Sequence, residues 1–225
     1  MSKIRCVMFD FGNVLGVFNA QILYEFLLKN RENCLEPKEI FCSLVGHVRD
    51  FDAGRIDEFN FFIKIQNAFQ LNHITVSEFY NAIKKTLEPD YDMLNIVHDL
   101  RKKGVATVLI TNMNSFSERH IRLSFSDFLA GFDYSMISHV EKVIKPDLEA
   151  WIRPLDFMGL KPEECLFVDD WIVNIEAACR LGIKGWHYNV SGNDLGYNGR
   201  LEQERLKFKN FLSLAWSEGL LVPNK

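Results

Sequence analysis

The stretch Cys6-Val7-Met8-Phe9-Asp10-Phe11-Gly12-Asn13-Val14-Leu15 governs the reading of everything after it. Four apolar residues run straight into an acid, and a glycine and an asparagine follow. A short apolar run closed by turn residues reads as a fully buried strand. In open α/β sheets, ligands bind just past the carboxyl ends of the strands, and Asp10 stands at such an end. A carboxylate there is costly to bury unless something cationic meets it. Gly12 allows backbone to come close to a ligand, and Asn13 tolerates unusual backbone angles. Taken alone, the decamer is equally well a strand with a polar turn after it.

Three later stretches repeat the pattern. Ala106-Thr107-Val108-Leu109-Ile110 runs into Thr111-Asn112, and Glu164-Cys165-Leu166-Phe167-Val168 runs into Asp169-Asp170. Between them, Val143-Ile144-Lys145-Pro146-Asp147 fixes a lysine just before a proline. This set of four, in this order, resembles the haloacid dehalogenase-like (HAD) hydrolase superfamily over nearly the whole chain. Members carry a nucleophilic Asp after the first strand and a Ser or Thr after the second. A Lys comes next, then an acidic pair after the fourth strand. The D-x-G-N form at Asp10 to Asn13, with D-D-x-x-x-N at Asp169 to Asn174, looks most like a bacterial sugar-phosphate phosphatase branch, the alpha-D-glucose-1-phosphate phosphatase-like one.

The totals set bounds on the rest. The chain has 225 residues with 48% hydrophobic content, enough for one core carrying an insertion or for two small domains. It carries 26 basic and 30 acidic residues, a net charge of −4, which does not suggest a nucleic-acid binder. The one basic run, Arg101-Lys102-Lys103 before Gly104, reads as a helix C-terminus. Cys6, Cys34, Cys42, Cys165 and Cys179 form no C-x-x-C pair; their odd number and scatter suggest reduced thiols and a cytoplasmic protein. The first residues have too short an apolar run for a signal peptide, and no segment reads as a membrane span.

After Leu15 the alternation of strand and helix stops, and residues 19–85 read only as helices. Residues 20–29 place Ile22, Leu23, Phe26 and Leu27 on one face. Pro37 opens a helix through Phe41, Leu44 and Val45. Residues 56–69 show a stripe of Phe59, Phe62, Ile63 and Phe69. Thr75 and Glu78 are spaced as a capping box, ahead of a core face of Phe79, Ala82 and Ile83. Of the 19 Phe residues, 11 fall in the first 80 positions, so this insertion has aromatic surface enough for a small core of its own. Packing, rather than ligand binding, is the simpler account of that stripe.

From Tyr91 the alternation returns. Helices are expected over 91–103, 115–128, 147–158, 172–181 and 201–216, and strands over 106–110, 132–137, 165–168 and 183–187. Gly159 and Gly182 read as helix stops, and residues 191–199 as a loop. Repeated strand–helix units imply a Rossmann-like parallel sheet with helices on both faces. The resemblance implies that residues 1–15 and 90–225 form the catalytic core and residues 16–89 a helical cap over the strand ends.

The resemblance also implies the chemistry. Asp10 is the nucleophile, forming an aspartyl-phosphate that water then hydrolyses. Mg²⁺ takes one or two carboxylates with waters and substrate phosphate; Asp10, Asp170 and the backbone carbonyl of Gly12 hold it. Asp169 orients Lys145 or a metal water, and Asn174 belongs to the same outer layer. Thr111 and the amide of Asn112 suit phosphate oxygens, as does Asn13, and Lys145 adds a point charge. Without the other motifs, Asp169-Asp170 reads equally as acids at a helix N-terminus, and Lys145 as a solvated surface lysine. The expected partner is a small phosphorylated metabolite.

Two departures stand out. Related phosphatases carry a second Asp two residues after the nucleophile, to protonate the leaving alcohol and later activate water. Here that position is Gly12, and general acid–base help is worth roughly 10²–10⁴-fold. Either another group serves, or the leaving group needs less help, or turnover is slow. Lys142 stands where the resembling branch tends to have glycine. The six histidines, His47, His73, His98, His120, His139 and His187, show no metal-binding spacing, and neither a Walker motif nor G-x-G-x-x-G occurs. The favoured expectation is a Mg²⁺-dependent phosphomonoesterase. The alternatives are a dehalogenase, against which the acidic pair counts, and a non-catalytic phosphometabolite-binding protein, which Gly12 favours.

Overall fold

Strand β1 (Cys6–Phe9) is the middle of the molecule. Its four residues alternate between two cores: Val7 and Phe9 join the apolar cluster on one face of the sheet, Cys6 and Met8 the cluster on the other. Both faces being covered explains why the strand is a continuous apolar run. The computed structural model describes residues 2–33, 36–125, 131–190 and 197–224. In it β1 pairs in parallel with β4 (Ala106–Thr111) on one side and β6 (Cys165–Asp169) on the other. β5 (Tyr134–Ile137) and β7 (Lys184–His187) close the sheet, in the order β5-β4-β1-β6-β7.

One face is covered by α5 (Tyr91–Lys102) through Met93, Ile96, Val97 and Leu100, and by α10 (Tyr197–Ser217) through Leu201, Phe208, Leu212 and Ala215. The other is covered by α8 (Glu149–Met158) and α9 (Ile172–Arg180), with Trp151 fully buried against Phe167. This is the doubly covered parallel sheet expected of the sequence. α8 ends at Gly159, whose φ of 63° is the left-handed stop that residue supplies. The expected helix over 115–128 is α6 (Ser115–Ser124); residues 126–130 lie outside the described set, as do Cys34 and residues 191–196 of the expected loop. Residues 197–199, read as loop, belong to α10.

Residues 20–84 contribute α1 (Ala20–Asn30), α2 (Pro37–Asp52), α3 (Glu58–Phe69) and α4 (Val76–Lys84). They enclose a separate aromatic core in which Phe79 touches Phe26, Phe61, Phe62 and Tyr80. The capping box at Thr75 and Glu78 forms in both directions. The expected stripe on α3 needs correction: Phe59 is 62% exposed, and Phe61, Phe62, Ile65 and Phe69 point inward. Phe59 and Phe61 lie about 200° apart on a helix, so only one can face in. Phe51 of α2 decides the choice by stacking on Phe61 at 4.4 Å. On α2, which runs seven residues past the expected Val45, Leu44 is half-buried and Val45 half-exposed; the side chain of Phe41 lies outside the described set.

A two-stranded antiparallel ribbon frames the insertion, and no alternation in the sequence signalled it. β2 (Gly16–Phe18) pairs with β3 (Leu87–Pro89), bringing the entry and exit of the helical segment together. The helices then lean on the core side chain by side chain. Arg119 of α6 grips Glu58 with two hydrogen bonds, and the Tyr80 ring lies 4.3 Å from that of Phe116. Asn114 donates to the Asp52 carboxylate at 2.8 Å. Ser138 donates to the Asp52 carbonyl, and Lys142 to the Gly54 carbonyl. Lys142 has φ of 58°, which accounts for a preference for glycine at that position, and its ammonium is anchored on the inserted segment.

Candidate active site

Neighbouring parallel strands end side by side, so residues just past β1, β4 and β6 meet without long-range coincidence. Asp10 follows β1, Thr111 closes β4, Asp169 closes β6 and Asp170 comes next. Lys145 enters from the loop beyond α7 (Ser138–Glu141), its side chain only 1% exposed. Its Nζ lies 2.8 Å from Asp10 Oδ1 and 2.7 Å from Asp169 Oδ2.

The two adjacent acids have different surroundings. Asp169 is wholly buried, and both its oxygens accept: from Lys145, from Asn174 Nδ2 at 3.0 and 3.1 Å, and from the backbone N–H of Trp171 at 2.7 Å. Asp170 is half-buried, and its Oδ2 accepts from Asn13 Nδ2 at 2.9 Å. Asn13 reaches that position with φ of 55°, the left-handed conformation asparagine tolerates. Its Oδ1 accepts from the backbone N–H of Phe18. His187 Nε2 lies 3.0 Å from the Asp170 carbonyl, and since a carbonyl only accepts, that nitrogen carries the proton. His187 belongs to no metal-binding spacing in the sequence, so motif spacing does not point to it. The signal that finds it is position: it ends the strand paired with β6, directly opposite Asp169.

Asn112 is placed differently from expectation. Its Oδ1 accepts from the Lys145 N–H at 2.8 Å and its Nδ2 donates to the Lys145 carbonyl at 3.1 Å. The side chain therefore splints the lysine's peptide through its Oδ1 and one of its two Nδ2 hydrogens. Gly12, unlike its neighbour Asn13, has an ordinary backbone conformation. Its φ lies outside the left-handed region, and a Cβ added there would meet nothing within 4 Å.

Electrostatics make the site an acceptor of positive charge. Burial pushes the Asp10 carboxyl up to about 7, against the pull of Lys145 and with the help of Asp169 and Asp170. Burial likewise lifts Asp170 to about 6, opposed by its hydrogen bond from Asn13. Burial works against the charge on Lys145, but Asp10 and Asp169 together raise it above its usual value, so it is an ammonium. Three carboxylates face one ammonium. Asp10, Asp169 and Asp170 each offer an oxygen, all within 4.8 Å of one another, a purely oxygen donor set suited to a hard divalent cation. Because Asp169 is occupied by N–H donors on both oxygens, Asp10 and Asp170 are the pair with capacity for such an ion.

The fold and the site together define a Rossmann-like α/β enzyme whose chemistry is built on aspartates at the carboxyl edge of a parallel sheet. The chain belongs to the haloacid dehalogenase-like hydrolase family, whose profile matches residues 4–182. A sesquiterpene phosphatase of Aspergillus oryzae is 24% identical over 190 residues, covering 84% of this chain and 92% of that protein. A glyceraldehyde 3-phosphate phosphatase of Pyrococcus furiosus is 35% identical over 88 residues, 38% of this chain and 35% of that protein. Among solved structures, a HAD family enzyme of Bacteroides thetaiotaomicron superposes with a TM-score of 0.74 at 22% identity, covering 87% of this chain and 98% of that one. A second structure of that enzyme holds magnesium and inorganic phosphate.

Proposed function

We propose that this chain is a Mg²⁺-dependent hydrolase of small phosphorylated metabolites, working through an aspartyl-phosphate on Asp10. The observation that carries the reading is the buried Asp10–Lys145–Asp169 chain beside an Asp170 with capacity to spare. The phosphatase relatives and the magnesium- and phosphate-bound neighbour support it.

Lys145 pulls Asp10 toward its ionised form and aims it, and its charge faces the incoming phosphate. The Asp10 carboxylate attacks phosphorus, the bond to the leaving oxygen breaks, and water then cleaves the acyl phosphate to restore Asp10. Thr111 and the backbone N–H of Asn112 receive phosphate oxygens. Asp169, held by Asn174 and Trp171, keeps Lys145 in place. Asn13 orients Asp170, which is a more indirect part in substrate binding than direct contact. Mg²⁺, held by Asp10, Asp170 and the Gly12 carbonyl, supplies neutralising charge for two anions brought together. Residues 16–89 act as a cap on a core formed by residues 1–15 and 90–225, excluding water and selecting the substrate.

The test is phosphate release from an aryl phosphate with and without Mg²⁺, in the native protein and in Asp10→Asn. The amide is nearly isosteric but is no nucleophile, so turnover should vanish while the melting profile remains cooperative. Activity near that of the native protein in purified Asp10→Asn would overturn the assignment. A binding protein without turnover is the second reading, and Gly12 is the observation that favours it; Mg²⁺-dependent multiple turnover removes it.

A further inference from the structure

Four exposed apolar side chains belong to segments whose backbone borders this site. Phe18 is 43% exposed, Trp171 67%, Ile172 47% and Val173 48%. Single exposed apolar residues are ordinary, but two of these are tied to the site's own acid. The backbone N–H of Phe18 donates to Asn13 Oδ1, Asn13 Nδ2 donates to Asp170 Oδ2, and Trp171 is the next residue after Asp170. The backbones that carry the two rings thus stand at either end of one hydrogen-bonded bridge across the acid. Neither stacks on another ring among the described residues. Both backbones are held, Phe18 by β2 and Trp171 by its N–H bond to Asp169, so the rings are presented by rigid supports.

Two further features bear on what meets them. At Gly12, two residues from Asp10, a Cβ would touch nothing within 4 Å, so the space where related enzymes place a proton donor is open. A leaving oxygen there is best served by chemistry that needs no proton. The exposed side chains of the rim are hydrocarbon and aromatic, whereas a pocket selective for a polyol needs several convergent hydrogen-bonding groups.

We propose that Phe18 and Trp171, extended by Ile172 and Val173, form an apolar rim that receives the organic body of the substrate, selecting aryl or other apolar-bodied phosphate esters with acidic leaving oxygens. This rests on the phosphatase reading of the Asp10 site. The occupant follows from continuity: a phosphate set beside Asp10 for attack must project its organic part out of the site, and the rim begins one residue from Asp170.

The experiment uses 4-alkylphenyl phosphates from methyl to pentyl, whose leaving-group acidity is nearly constant while apolar area grows. With Mg²⁺ present, kcat/KM should rise by about two- to fourfold per added methylene, fourfold being the limit for full burial. Trp171→Ser and Phe18→Ser should flatten that rise, and Trp171→Phe should keep most of it. A parallel titration measures Kd for alkylphosphonates of the same lengths in the presence of Mg²⁺. Tightening with chain length that is lost in Trp171→Ser supports the rim even if no ester is hydrolysed, a result that would overturn the phosphatase reading alone. A flat series for both esters and phosphonates, or glucose 1-phosphate outrunning every alkylphenyl ester, would overturn the rim while leaving the phosphatase reading intact.

Discussion

Gly12 is a vacancy that the backbone does not require. With φ outside the left-handed region and open space at Cβ, the backbone accepts a side chain there without strain. Gly12→Asp should therefore fold, and should raise kcat/KM for simple alkyl phosphates by part of the roughly 10²–10⁴-fold that a general acid supplies. Aryl phosphates, whose oxygens leave unprotonated, should gain little. In the native protein, log kcat/KM plotted against leaving-group pKa should have a steep negative slope; a flat line would mean that another residue donates the proton. At the acidic pair, Asp170→Ala should weaken Mg²⁺ binding in calorimetric titration more than Asp169→Ala does. Asp170 keeps acceptor capacity, whereas Asp169 is filled by Lys145, Asn174 and the Trp171 N–H. The Asp169 change should instead appear as lost thermal stability, because it removes one of the two carboxylate partners of a buried lysine.

At the level of elements, the junction between α2 and α6 carries a charge that nothing in the proposed chemistry uses. Burial pushes the Asp52 carboxyl up to about 7, only partly offset by the Asn114 hydrogen bond. In the unfolded chain that carboxyl titrates near 4. Between those two values the folded protein holds a proton the unfolded chain has released, so stability falls as pH rises through that window and levels off above it. Asp52→Asn keeps an oxygen for Asn114 and cannot ionise. Its Tm should match the native protein near pH 4 and exceed it at pH 8, by about 2–4 °C for each kcal/mol relieved; equal shifts at both pH values would refute the account. The contacts here also show where sequence reading stops. Strand ends and caps are legible because local chemistry fixes them, apolar runs closing on Asp10, Thr111 and Asp169, or Thr75 capping Glu78; that those strand ends make one carboxylate site is legible only from the resemblance of the four motifs taken in order. The Phe59–Phe61 choice, the β2–β3 ribbon and the engagement of Asn112 with Lys145 depend on what another segment presents. Helical periodicity fits Phe59 about as well as Phe61 until Phe51 is in place, and a three-residue strand has too few alternations to read.

For the molecule as a whole, the inserted helices and the sheet own separate cores that meet through α6, where Phe116 packs into the helical cluster and Ile121 into the sheet's. Substitutions between residues 19 and 85 that preserve the aromatic core should reorder kcat/KM among large substrates and change the rate with the smallest aryl phosphate by less; equal losses on every substrate would place the segment in the chemical step. Among the described residues no helix is long and apolar enough to cross a membrane.

The central position of β1 has a consequence for how the protein is made. Its two partners start at residues 106 and 165, so this wholly apolar strand is synthesised first and flanked on both sides only after residue 165. At 5–20 residues per second, about 8–30 s separate the appearance of Cys6-Val7-Met8-Phe9 from that of β6. Through that interval at least one edge of the strand has no native neighbour, the condition in which strands find wrong ones. The helices of residues 20–84, rich in short-range contacts, can fold meanwhile, whereas the aspartate cluster cannot exist until β6 docks. Nascent chains halted before residue 165 should be chaperone clients with a formed helical segment and no capacity for the cation.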